Sequence, residues 1–165
     1  MLMLHSLLLK LHIALGVIAL FLFWIPMLSR KGSTVHRSSG RYYGHIMKAV
    51  ALSGLAMTAL VWCDPIATKG TGLMVDGKIS QGKLDFLMLI NLFLCLLSLL
   101  TWVTIRHATG SLLCKQNRDP MKHWTYQAPV WLLALVAPYA AWQGFVFNMP
   151  LVMVFAGISL ITCFG

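Results

Sequence analysis

Histidines are the residues of this chain best suited to chemistry, and they fall into two groups. His5 and His12 stand in the first apolar run, whereas His36, His45, His107 and His123 stand in or beside the polar stretches between later runs. Imidazole is the usual axial ligand of b-type haem and a common transition-metal ligand, and side chains at neighbouring helix ends can converge on a cofactor between them. His45, His107 and His123 are therefore the candidate cofactor-binding residues, for a haem b, a quinone or a metal on one face. Two haems would need facing pairs of histidines at both depths, and the other face offers only His5 and His12 of a single helix. The competing reading leaves these imidazoles to headgroups, water and nearby carbonyls. Cys63, Cys95, Cys114 and Cys163 stand far apart with no C-x-x-C, so neither a disulfide framework nor a zinc site is expected.

A second candidate site is the run from His36 to Tyr43. Arg37 and Arg41 offer bidentate forks for a phosphate or carboxylate, Gly40 permits backbone conformations that other residues avoid, and tyrosine suits the headgroup level. His36, Arg37, Arg41 and Tyr43 are thus expected to hold a lipid phosphate, an anionic ligand or a partner's carboxylate, against the alternative of a basic turn that only fixes topology. Hydrolysis is not expected, because the four acidic residues, all aspartate, leave no way to place a nucleophile, a base and an orienting group at one depth. A coupled carrier would carry ionisable residues inside its spans, and Asp64 and Asp85 sit at span ends.

The elements that must position these residues are written in the composition. Hydrophobic residues make up 59% of the 165 and charged ones 10%, with a mean hydropathy of +0.79, whereas water-soluble chains run at about 45–50% and about 25%. Lipid is the implied solvent. At about 20 residues per crossing, one all-α, polytopic integral membrane bundle of about five helices fills the length as a single domain. Spans are expected near 11–29, 47–66, 85–106, 124–146 and 150–165. MLMLHSLLLKLH has no basic leader region and no small-residue cleavage signature, so it is expected to stay as the start of the first helix. Between the first two spans lies a basic loop. Asp64-Pro65 stops the second span, and Asp76-Gly77, between LMV and KIS, predicts a short β-hairpin over 72–81. Asp119-Pro120 marks the start of the fourth helix, and Asn148 with Pro150 makes the last turn.

Orientation follows from charge. Arg30, Lys31, Arg37, Arg41 and Lys48 cluster after the first span, and Arg106, Lys115, Arg118 and Lys122 after the third, which places both connections in the cytoplasm, the N-terminus outside and the C-terminus inside. Trp24, Trp102 and Trp124 fall at the cytoplasmic boundary and Trp62 and Trp142 at the outer one, as two aromatic belts. The net charge of +9 is then explained by topology and anionic headgroups, and no nucleic acid is expected.

LHIALGVIALFLFWIPMLSRKG followed by HRSSGRYYGHIMKAVALSG resembles the opening of a family of predicted bacterial integral membrane proteins known only as a domain of unknown function. The matching positions are His12 and Gly16 in the first helix, then Lys31, Gly32, His36, Arg37, Gly40, Arg41 and Tyr43 in a K-G…H-R-x-x-G-R-x-Y stretch, roughly the first third of the chain. Later, where the family shows an H-R-x-W-M-like element, this chain has Lys122, His123 and Trp124 without the arginine. The resemblance implies paired histidine-containing cytoplasmic loops in a bacterial inner membrane and brings no activity. The resulting expectation is a non-catalytic accessory subunit, packed against a larger membrane complex or a second copy of itself. The alternative is a redox protein with its cofactor on the cytoplasmic histidines.

Overall fold

The computed structural model describes residues 2–75, 78–113 and 123–164. It is an all-α bundle: α1 (Leu2–Leu28), α2 (Thr34–Cys63), α3 (Pro65–Leu73), strands β1 (Met74–Val75) and β2 (Lys78–Ile79), then α4 (Gln81–Leu113), α5 (Trp124–Val146) and α6 (Pro150–Phe164). Four helices, α1, α2, α4 and α5, are long and apolar enough to cross a membrane, and the chain is a membrane protein. The 15 residues of α6 rise about 22 Å, less than the ~30 Å of a hydrocarbon core.

Turns follow local chemistry. Asp64 ends α2 and caps α3, its Oδ1 accepting from the Ala67 amide at 2.8 Å, with Pro65 opening the new helix. The expected stop at Asp64-Pro65 therefore lies one residue past the observed end of α2, and the connection beyond it begins as a helix. β1 and β2 pair antiparallel, Met74 opposite Ile79 and Val75 opposite Lys78, while Asp76-Gly77 lies outside the described residues. The expected helix start at Asp119-Pro120 also lies outside them, and described α5 begins at Trp124 with His123 as its cap. After α5 the chain reverses through Asn148, whose φ of 53° is the left-handed conformation asparagine tolerates.

Helix α4 is central. Leu92, Cys95, Leu96, Leu99 and Val103 pack with Leu133, Ala137 and Ala140 of α5 and Val152 and Ala156 of α6 into one apolar core. On its other side α4 meets α2 through small residues: a side chain at Gly54 would run into the Ser98 hydroxyl. Asn91, nearly wholly buried, donates from Nδ2 to the Thr58 carbonyl at 3.0 Å. Only α2 and α3 have more than slight contact with α1, which leaves most of its surface apolar and uncovered.

The polar link between α1 and α2 has a determinable sense. Ser53 Oγ gives its one hydrogen to the Val50 carbonyl at 2.8 Å, so the 2.8 Å contact with His12 Nδ1 requires the imidazole to donate. In hydrocarbon, where water cannot compete, such contacts hold helices together with about 0.6–2 kcal/mol each.

Close approach at Gly54 predicts that Gly54→Leu destabilises the bundle by about 1–3 kcal/mol through overpacking. Gly157→Leu, at a position with open space around its Cβ, is expected to change the thermal midpoint of the micelle-solubilised protein much less.

Candidate functional site

The most developed polar site is a groove of about 1030 Å³ at the end of the bundle where α2 begins and α4 finishes. Its floor depends on how α2 starts. Gly32 takes a φ of 83°, Ser33 N bonds the Arg30 carbonyl at 3.1 Å, and Ser33 Oγ accepts from the His36 amide at 3.1 Å as an N-cap. From Thr34 onward nothing breaks a helix, so most of the expected basic loop is helical. This corrects the reading of the segment as a loop: polarity marks what must leave hydrocarbon, and a capped helix satisfies that as well as a loop does.

Helical geometry then sorts the residues by face. Thr34, Arg37, Ser38, Arg41, His45 and Lys48 recur at three- and four-residue steps and line the groove, with Thr109 of α4 across from them. Gly44 allows the approach, its Cβ position lying 4.0 Å from Ile105 of α4. Among the described residues no carboxylate lines the groove. Arg37 and Arg41 are exposed and present their forks one helical turn apart.

The four residues expected to bind phosphate or a partner are thus divided. Arg37 and Arg41 face the groove. His36 touches it but also ties α2 to α1, its Nδ1 donating to the Pro26 carbonyl at 3.0 Å. Tyr43 turns away and packs on Phe23 of α1, ring centroids 6.1 Å apart. Lys48 and Thr109 join the set without having been singled out. The 37/41/45/48 spacing was the available signal for Lys48, whereas Thr109 carried none.

The three histidines proposed for a cofactor are not brought together. His45 is exposed on the groove. His107, on another face of α4 from Thr109, meets Tyr126 of α5, with Nδ1 3.0 Å from the hydroxyl and the rings edge to face at 5.4 Å. His123 caps α5, its Nδ1 lying 3.0 Å from Thr125 Oγ1 and accepting the Thr125 amide. Arg106 completes the α4–α5 clasp, its Nη1 bonding the Thr125 carbonyl at 3.0 Å and its guanidinium lying 4.9 Å from the Tyr126 ring centre. His107 Nε2 is buried with no hydrogen-bond partner among the described residues. One imidazole nitrogen does not make a haem or metal site, and among the described residues no three His, Cys, Asp or Glu side chains converge.

Because Ser33 positions the groove's first turn, Ser33→Ala is expected to lower stability by about 1 kcal/mol and to speed amide exchange over 34–37, with Ser33→Asp keeping both near wild type. Hydrogen-exchange mass spectrometry of the three proteins checks this.

No family model matches the chain, and neither does any curated protein or solved structure.

Proposed function

We propose that this is a small, non-catalytic membrane protein that holds phosphate-bearing anionic lipid on the basic face of α2 and serves as an accessory subunit of a larger membrane complex. The observation that carries the lipid reading is the groove itself: Arg37, Arg41, His45 and Lys48 on one helical face, with Thr34, Ser38 and Thr109 as neutral hydroxyl donors and no carboxylate among the described residues that line it. Two arginine forks and a lysine suit a phosphate's oxygens, and hydroxyls at the same level suit its ester oxygens or a glycerol. Juxtamembrane cations contribute about 1 kcal/mol each toward an anionic surface. By the positive-inside rule the groove lies on the cytoplasmic side, with the N-terminus outside, as a multi-pass protein of a bacterial inner membrane.

Two further features support the accessory role. The described residues are helices joined by short connections and one small two-stranded hairpin, with no extramembrane domain among them. Helix α1 contributes almost nothing to the core and presents a long apolar flank to lipid or to a neighbouring subunit.

Native mass spectrometry of delipidated protein in maltoside micelles tests the lipid reading. Phosphatidylglycerol is expected to be retained in preference to phosphatidylcholine, and Arg37→Gln with Arg41→Gln to weaken that retention by about tenfold or more. Raised salt acts in the same direction. Equal retention of the two lipids by the wild-type protein would overturn it. On native electrophoresis of gently solubilised membranes, an accessory subunit migrates within a defined larger complex, and migration as the bare 18.4 kDa chain in its micelle removes that part of the proposal.

A further inference from the structure

At the opposite end of the bundle from the basic groove, where α2 ends and α4 begins, lies a separate cavity of about 440 Å³. Three aromatic rings line it, Trp62 of α2, Tyr139 of α5 and Phe147 just beyond α5, together with Asp85, Met88 and Gln143. Gln143 Nε2 donates to the Tyr139 hydroxyl at 3.0 Å, which fixes that ring relative to the helix.

Asp85 is the unexpected member. The chain carries four acidic residues against 13 lysines and arginines, so a carboxylate here would ordinarily be matched by a cation. Among the described residues none pairs with it, and its side chain is held by Gln81 Nε2, 3.1 Å from Oδ1. The helix dipole gives no sufficient reason for its position either, because Asp85 lies beyond the first turn of α4. Lys83, only two residues earlier, is carried to another side of α4 and lines a different cavity with His5 and Lys69. Helix α4 thus separates the two charges and leaves Asp85 lining one cavity with three aromatic side chains.

A carboxylate beside several π faces is the chemistry that recognises an organic ammonium ion: the ring quadrupoles attract a diffuse positive charge and the carboxylate supplies its counterion. A single carboxylate is too few ligands for a hard metal ion, and its charge repels an anion. The volume lies within the range of small-molecule sites and accommodates a trimethylammonium group with a short tail. We infer that this cavity binds a quaternary or primary ammonium group, with Asp85 as counterion and Trp62, Tyr139 and Phe147 as the rings around it.

Equilibrium dialysis of radiolabelled choline against the purified chain in maltoside micelles tests this. Saturable binding is expected, with the uncharged isostere 3,3-dimethylbutan-1-ol competing at least about tenfold more weakly than unlabelled choline. Asp85→Asn is expected to lose about tenfold or more in affinity, and Tyr139→Leu and Phe147→Leu about two- to fivefold each, while Lys83→Gln, in the other cavity, binds as wild type. Should Asp85→Asn fail to elute as a folded monodisperse protein, the two ring variants carry the test. Absence of saturable choline binding, equal competition by the isostere, or wild-type affinity in folded Asp85→Asn each overturns the inference. Repeating the dialysis in nanodiscs separates the sources of the group: loss of choline binding in phosphatidylcholine but not phosphatidylglycerol discs identifies a lipid headgroup, and equal binding in both identifies a soluble cation.

Discussion

Hydrocarbon offers no hydrogen bonds, and that absence shapes every polar contact in this bundle. Within the apolar helices α4 and α6, Thr101, Thr104, Ser159 and Thr162 turn their hydroxyls onto carbonyls four residues earlier in their own helices. Two polar contacts reach between helices in the apolar interior: Asn91 to the Thr58 carbonyl, and His12 to a Ser53 hydroxyl already committed to Val50. The first pairs α2 with α4 and the second α1 with α2. Apolar packing cannot do that alone, because a leucine is as well solvated by lipid as by another leucine.

The same constraint explains why chemistry collects at the two ends. Charged groups sit where water or headgroups can reach them, so the helix ends become the only places where a site can hold unpaired charge. Helix α4 is the divider at both. Near its start, Lys83 and Asp85 are sent to different cavities; near its end, Thr109 faces the α2 groove while His107 faces α5. Because α4 is buried on several sides in the middle, rotation of this helix would disturb the Leu96–Leu133–Val152 core and both ends together.

Much of the architecture was legible in the sequence because it depends on hydropathy and on residues with fixed conformational habits. The all-α membrane bundle follows from the apolar runs, and the reversal at Asn148 follows from a residue that tolerates positive φ just before a proline. The start of α2 was less legible. Thr34–His45 is polar and contains Gly40 and Gly44, features common to loops and to helix surfaces, and only the Ser33 cap distinguishes the two. For the candidate site, Arg37 and Arg41 were grouped by their closeness in a segment read as a loop, their shared face appeared only with the helix, and partnership between helices has no one-dimensional signature. His45, His107 and His123 share a level in the chain's topology, yet α4 puts His45 and His107 on different flanks. Trp62 and Tyr139 meet at one cavity only through the packing of α2 and α5 around α4.

Charge asymmetry links the two ends physically. The groove gathers Arg37, Arg41 and Lys48 on one helical face, an arrangement suited to the cytoplasmic side of a membrane by the positive-inside rule. At the other end, α4 sets Asp85 in a cavity with three aromatic side chains and no cation paired with it among the described residues, while Lys69 and Lys83 line a separate cavity. A membrane potential negative inside favours an orientation that puts such a cluster of cations at the inner face, at about 2.3 kcal/mol per charge moved across 100 mV. Among the described residues the groove end gathers cations on one helical face while the far end mixes Lys69 and Lys83 with Asp64 and Asp85, so the field's preference for one orientation is set by the groove end.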